Sequence, residues 1–531
     1  MRLKCALIAI TLVSSPVAAA DPAAINRIAD QAMNHGQVVE TAAYLTDRIG
    51  GRLTNSPAMR EAERWTQAKF KEWGLRNVHL EGFEFGRGWW IESSRVRMTA
   101  PRPLALHAIP IAWTPPTDGA ITAPVIVAPM TKEDHFTKWR GKLAGKIVLV
   151  SLPKDPKDEG EAPFKRLSGG ELAEKDEYRQ PVYDPSEARD LAKWFRFGRR
   201  LDAFLKAEGA IAWARMAQRD NGLVHGEGYS FRTGETPSLP AVELAAEDYR
   251  RLTRLAKTGP VTIEIDSKVH FDDSDSKGYN IIAEIPGTDP KAGYVMAGAH
   301  IDSWVAADGA ADNAAGSAVV MEAARILSAI GVRPKRTIRF ALWSGEEQGL
   351  FGSYSYVRKH LVTRPAQPDP EIASLGPWGD QTYPITPLPG FRDLVAYFNM
   401  DNGSGKLRGI YAEGNFAAVP MLKEWISPLA SMGVTSVVAK PTGSTDHIGM
   451  AELGLPAFQF IQDPLDYGSR AHHSSLDTFD HLRAQDLRQA ATVMASLLLS
   501  AADSDKPLPR NVLPTQPSVT RPFDYEDPDK D

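Results

Sequence analysis

Four apolar runs in the second half of the chain each break off at a histidine or a carboxylate. Tyr294–Ala299 runs into His300-Ile301-Asp302, and Thr337–Trp343 is followed by Gly345-Glu346-Glu347. Leu394–Met400 runs into Asp401, and Pro456–Ile461 leads towards His472-His473. Short continuous apolar runs of this kind predict strands buried on both faces. Between the first two, Val319, Val320, Ala323, Ile326 and Leu327 form one face of a helix that starts near Asn313. Strands that alternate with helices predict an α/β sheet, and ligands of open α/β sheets bind beyond the carboxyl ends of the strands. Residues from distant parts of the chain are therefore expected to meet at one sheet edge.

The first part of the chain reads differently. Asp21 to about Leu75 is expected to be helical, with Trp65, Phe70 and Trp73 spaced for an amphipathic helix over Ala62–Gly74 that stops at Gly74. Val78–Phe85 and Trp90–Thr99 alternate like strands. From about Thr117 to Val269 the texture changes again. Lys146–Val150 reads as a short buried strand, Ala203–Trp213 as a helix, a glycine break and a strand, and Leu239–Leu244 leads to a helix over Glu247–Lys257. Val261–Ile265 is again a strand. No strand in this block ends in a candidate ligand, so 117–269 reads as an inserted accessory domain. Lys154–Glu187 is charged, contains proline and is expected to be surface loop. Pro365–Pro389 is rich in proline and glycine, carries Trp378 and Tyr383, and lies between two ligand-bearing strands. Long loops in compact domains are more often functional or disordered than neutral, so a wall or lid is expected there. Asp505–Asp531 is expected to be a disordered tail.

Composition narrows the function. A chain of 531 residues is long for one core, and 43% hydrophobic with 24% charged residues is ordinary for a globular protein. The net charge of −5 and the lack of a basic block argue against nucleic acid as a partner. Arg2 and Lys4, the apolar run Ala6–Val13 and then Ala18-Ala19-Ala20 have the layout of a secretory signal over residues 1–20. The apolar run is well short of the ~20 residues that span a bilayer. No other segment is long and apolar enough for a stable membrane span, so a periplasmic or secreted protein is expected. The single cysteine, Cys5, lies inside that signal. The mature chain would hold no disulfide and no thiolate ligand.

A cluster of His, Asp and Glu without sulfur suits zinc or a similar divalent metal. His300 is a candidate ligand, and Asp302 is placed to accept a hydrogen bond from its imidazole. Asp312 is either a ligand or the N-cap of the helix that follows. Glu346 and Glu347 are either acids at a helix start or a ligand beside a general base. Asp401 is followed by Asn402-Gly403, which by itself signals only a turn. His473 is the better ligand candidate of its pair, and His472 reads as a surface histidine. There is no His-Glu-x-x-His helix. Ser444-Thr445-Asp446-His447 is polar enough for a nucleophile set but lacks the Gly-x-Ser-x-Gly elbow.

Taken in order, five motifs resemble metallopeptidase family 28. They are Gly298–Ser303, Ala311–Gly316, Trp343–Ser353, Asn399–Asp401 and His473–Thr478. The resemblance implies an α/β fold with a mixed, mostly parallel sheet flanked by helices, the phosphorylase/hydrolase-like fold of zinc exopeptidases. It implies two zinc ions bridged by Asp312, with His300 and Asp401 completing one site and Glu347 and His473 the other. Glu346 would be the general base, Asp302 the partner of His300, and the peptide after Asp312 would be cis. Leu143–Val150 and Ala207–Ala210 are similar to a protease-associated domain, inserted between peptidase-domain segments 21–116 and 270–504. Asp47–Pro57 is similar to the secreted carboxypeptidase Q branch. The implied activity is hydrolysis of terminal peptide bonds of short peptides or dipeptides, by a metal-activated water with a glutamate base. Peptides are the expected partners, and a homodimer is the one assembly kept in view. Two other classes stay open: a single-zinc enzyme of glutaminyl cyclase type, and a non-catalytic, receptor-like binding protein. Tyr467 would either assist the reaction or simply pack.

Overall fold

The computed structural model describes residues 21–157, 160–177, 186–235 and 237–511. Its central sheet has eight strands in the order Arg76–Glu84, Lys277–Ile285, Thr337–Trp343, Tyr294–His300, Leu394–Asn399, Ala457–Gln462, Leu407–Tyr411, Ser436–Val438. The middle four pair in parallel with one another. The flanking strands Lys277–Ile285 and Leu407–Tyr411 pair with them antiparallel, so the sheet is mixed. Every residue of Tyr294–His300, Leu394–Asn399 and Ala457–Gln462 is buried, which is why these runs show no alternation.

Helices cover both faces. Ala315–Ala329 and Ala484–Asp503 lie against one face, joined there by Pro22–Asn34 and Val38–Ala43, around Val295, Ala297, Phe340 and Phe398. On the other face Met296, Ala341, Trp343 and Tyr397 pack with Tyr356, Leu361 and Met450. The α/β architecture expected from the sequence is the one observed. The first amphipathic helix is longer than its aromatic spacing implied: it spans Pro57–Glu72, with the Ser56 side chain accepting from Met59 N. Gly74 follows at φ +82°, a left-handed conformation that ends the helix.

A second eight-stranded sheet holds, in order, Leu104–Leu106, Gly88–Ala100, Thr262–Asp272, Ile121–Val127, Ile147–Leu149, Ala212–Met216, Ala241–Leu244 and Ala108–Pro110. Gly88–Ala100 and Thr262–Asp272 form a long antiparallel ribbon. Helix Ala246–Ala256 packs Tyr249 and Leu252 on one face, while Leu201 and Leu205 of helix Ser186–Ala207 pack with Val148 and Val150. Part of the stretch read as surface loop is anchored instead. Leu167 N donates to Asp463 Oδ1 (2.9 Å), and Arg166 pairs with Asp463 and Asp486 of the central domain.

The start of the tail is also ordered. Leu508 is buried, and Arg510 donates to the carbonyls of Phe391, Arg392 and Leu394. The expected signal over residues 1–20 and the rest of the expected tail, residues 512–531, lie outside the described residues. Among the described residues no helix is long and apolar enough to cross a membrane.

Candidate active site

Hydrogen bonds across the sheet hold its carboxyl edge level. Ile301 N donates to Trp343 O (2.8 Å) and Met400 N to Gly298 O (2.8 Å). His300, the Glu346-Glu347 pair and Asp401 therefore emerge side by side. Asp312 joins them through a turn tied down at both ends. The carboxylate of Asp477 accepts from Ala311 N (2.6 Å) and Asp312 N (3.0 Å). Asn313 Nδ2 donates to Met400 O (2.9 Å), and the Asp312–Asn313 peptide is cis.

Asp312 stands between two groups. Its Oδ1 lies 3.2 Å from His300 Nε2, and that nitrogen is 3.5 Å from Asp401 Oδ1. Its Oδ2 lies 3.3 Å from His473 Nε2, which is 3.0 Å from Glu347 Oε2. Glu346 Oε2 stands 3.9 Å from His300 Nε2. The fold thus brings His300, Asp312, Glu346, Glu347, Asp401 and His473 together.

Asp302 is next to them, with a broader set of contacts than the sequence suggested. His300 Nδ1 is 3.0 Å from the backbone carbonyl of Asp302 and 3.7 Å from its carboxylate. The carboxylate instead accepts from Thr54 Oγ1 (3.1 Å), Glu346 N (3.4 Å) and Glu347 N (3.3 Å). It orients the acidic pair as well as facing the imidazole.

A buried polar chain supports Asp401 from below. Trp343 Nε1 donates to Tyr397 Oη (2.7 Å), which donates to Asn399 Oδ1 (2.6 Å). Asn399 Nδ2 donates to Thr445 Oγ1 (2.9 Å) and Gln459 Oε1 (3.0 Å). Gln459 Nε2 then donates to the carbonyl of Asp401 (2.7 Å).

The charge balance of the site favours a cation. Burial pushes the Glu347 carboxyl up to about 8, against the pull of His473 and with the push of Asp312. Burial likewise raises Glu346, with Asp401 and Asp446 adding to the effect. Burial would lower both imidazoles, but the carboxylates around His300 and His473 outweigh it and raise them. Yet His300 Nε2 and Glu347 Oε1 are buried with no hydrogen-bond partner. Bare nitrogen and oxygen donors among excess carboxylates fit divalent cations of zinc type.

The groups face a cleft of about 230 Å³. Trp378, from the Pro365–Pro389 loop, lines it together with Ser444, Tyr467 and His472. Sequence reasoning undervalued two of these. Tyr467 Oη donates to Asp312 Oδ2 (3.1 Å). His472 stacks on His473 with ring centroids 3.7 Å apart, and its Nε2 is 3.7 Å from Asp312 Oδ2. Asp477, inside the His473–Thr478 motif, braces Asp312 by its carboxylate. Glu227 Oε1 lies 2.7 Å from His473 Nδ1, in a stretch that carries no motif. Ser444–His447 gives no Ser–His bond among the described residues; His447 Nε2 is 3.2 Å from Glu413 Oε1.

Residues 280–498 match peptidase family M28. The segment that carries the site belongs to that family. The chain is 26% identical over 481 residues to carboxypeptidase Q of Homo sapiens, covering 89% of this chain and 86% of that one. Its fold is similar to that of a peptidase M28 precursor from Shewanella amazonensis, with TM-score 0.64, 21% identity, and 93% and 99% of the two chains covered. It is also similar to a zinc aminopeptidase from Bacillus subtilis, with TM-score 0.55, 20% identity, and 88% and 95% covered. The M28 segment contains every residue proposed from the sequence for this site, from His300 to His473. Glu227 lies outside it.

Proposed function

We propose that this chain is a secreted di-zinc exopeptidase that hydrolyses terminal peptide bonds of short peptides or dipeptides. The observation that carries the reading is Asp312, which offers one carboxylate oxygen to each of two His-containing groups. Asp312 would bridge two zinc ions, His300 and Asp401 would hold one, and Glu347 and His473 the other. Bound zinc supplies Lewis acidity, which lowers the pKa of water and offsets oxyanion charge.

The chain's own groups do the rest. Glu346 is the general base: its carboxylate takes a proton from the attacking water as the new C–O bond forms. It returns that proton to the amine as the C–N bond breaks. In the metal-free site burial and the neighbouring carboxylates raise the Glu346 carboxyl, and bound cations would offset that rise and leave it free to accept the proton. Asp302 fixes the base through the backbone amides of Glu346 and Glu347. Trp378 walls a compact cleft of about 230 Å³, which favours dipeptides and other small peptides. The signal-like segment 1–20 supports export to the periplasm or beyond.

The test uses zinc-loaded protein with dipeptides and with longer peptides blocked at one end, beside Glu346→Gln. The variant should keep two zinc ions per chain and lose about 10²- to 10⁴-fold in kcat. The tolerated block distinguishes an aminopeptidase from a carboxypeptidase. Wild-type rates in the variant would overturn the assignment of the base. One zinc per chain would favour a cyclase-type enzyme, and none a binding protein.

A further inference from the structure

His473 is held from outside the M28 segment. It belongs to the loop after Tyr467–Ala471, and its backbone sits at φ +58°, a left-handed conformation uncommon for a residue with a side chain. A loop of the second sheet grips it there. That loop joins the strands Ala212–Met216 and Ala241–Leu244. Ser475 N donates to Val224 O (2.9 Å), and Arg219 donates to the carbonyls of His472 and Gly468. Glu227 Oε1 lies 2.7 Å from His473 Nδ1.

The grip is itself braced. Arg215 donates from Nη2 to the carbonyl of Glu227 (2.8 Å) and from Nε to Glu243 Oε2 (2.8 Å). Glu243 is buried on its strand, and its Oε1 also accepts from His225 N (2.7 Å) and faces His225 Nδ1 at 2.9 Å. The side chains of Glu227 and His473 are each about four-fifths buried, so water competes little for their bond.

We infer that Glu227 is a positioning residue for the metal site: it fixes the tautomer and aim of His473, and it makes the second sheet part of the catalytic apparatus. This rests on the proposal that His473 binds zinc. A proton held on Nδ1 by a carboxylate leaves the lone pair on Nε2, the atom that faces Asp312 and Glu347. The hydrogen bond to an ionised acceptor also makes the imidazole a better donor to metal. His300 is oriented by a different device, the backbone carbonyl of Asp302 at 3.0 Å. The two imidazoles therefore differ in what replacing one carboxylate would do.

The test is zinc titration of the full-length, metal-free protein against a chromophoric chelator. Wild type is compared with Glu227→Gln, Glu227→Asp, His473→Ala, and the Glu227→Gln/His473→Ala pair. Glu227→Gln should weaken one of two zinc ions by about 10- to 100-fold and leave the other within about twofold. Glu227→Asp should restore part of the loss, which shows that charge at this point matters. In the His473→Ala background Glu227→Gln should add less than about twofold, because the residue acts through that imidazole. Both zinc ions bound to Glu227→Gln as tightly as to wild type would overturn the inference. So would a full additional loss in the double variant, which would mean a structural role alone. Wild type that binds fewer than two zinc ions would overturn the di-zinc reading and this inference together.

Discussion

Gly298 lies two residues before His300, in the most buried part of the sheet. A methyl group there would stand 2.4 Å from Tyr397 Oη and 2.7 Å from Trp343 Nε1, well inside contact distance. Both rings are fully buried, so neither can swing into solvent. Gly298→Ala should therefore cost ~1–3 kcal/mol in overpacking. If Tyr397 moves, the chain from Trp343 through Tyr397 to Asn399 breaks, and a buried indole N–H loses its acceptor. That adds ~1–3 kcal/mol. The total, about 2–6 kcal/mol, is a large share of the ~5–15 kcal/mol that holds a typical fold together. Urea unfolding of metal-free protein measures it. Zinc affinity should fall as well, because Asn399 and Gln459 support the backbone of Asp401. Tyr397→Phe removes the atom nearest the new methyl, so Gly298→Ala should cost less in that background. A loss below about 1 kcal/mol, or an undiminished loss in the Tyr397→Phe background, would refute the reasoning.

Trp378→Ala should leave the fold within ~0.5 kcal/mol of wild type, because the ring is 41% exposed. It should raise kcat/KM for pentapeptides relative to dipeptides by about tenfold, chiefly through KM; an unchanged ratio in steady-state assays would remove the loop from length selection. Zinc binding should release protons near neutral pH. The carboxylates around His300 and His473 raise both imidazoles despite burial, and burial raises Glu347 to about 8, so the metal-free site holds protons that zinc must displace. Affinity should then rise with pH and weaken on acidification. Calorimetry in buffers of different ionisation enthalpy counts the protons, and a count of zero at pH 7 would refute this.

How much of this was legible in the sequence depended on the kind of contact. A strand buried on both faces has no exposed side for polar chemistry, so its ligands collect at its ends. Tyr294–His300 and Leu394–Asn399 are buried throughout, and Thr337–Trp343 is so from Phe340 onward, which is why His300, Asp401 and Glu347 stood out at or past their ends. The helix after Asp312 was harder. Asp312 and Asn313 resemble a cap, and Asn313 Oδ1 does accept from Gly316 N (3.0 Å), but the helix begins at Ala315 and the Asp312 carboxylate faces His300 and His473 instead. Asp477 and Met400, both far along the chain, hold Asp312 and Asn313 there. Arg166 and Leu167 lie in a charged stretch that looks solvated until Asp463 is beside it. Likewise a loop tyrosine and a loop histidine suggest surface packing until the Tyr467–Ala471 turn aims Tyr467 and His472 at Asp312.

Glu227 marks the limit of such reading. It is 246 residues from His473, on a loop with no periodic pattern, and belongs to a different sheet from the strands that frame the site. Periodicity reports which face of an element is buried, and motif spacing reports ligands carried by neighbouring strand ends. Neither reports a contact made where two sheets meet. Local patterning could therefore reveal the candidate metal donors, but not the carboxylate behind one of them. If Glu227 acts as inferred, a substitution that loosens the second sheet, such as Glu243→Gln, should weaken zinc binding at His473 without touching any residue of the M28 segment.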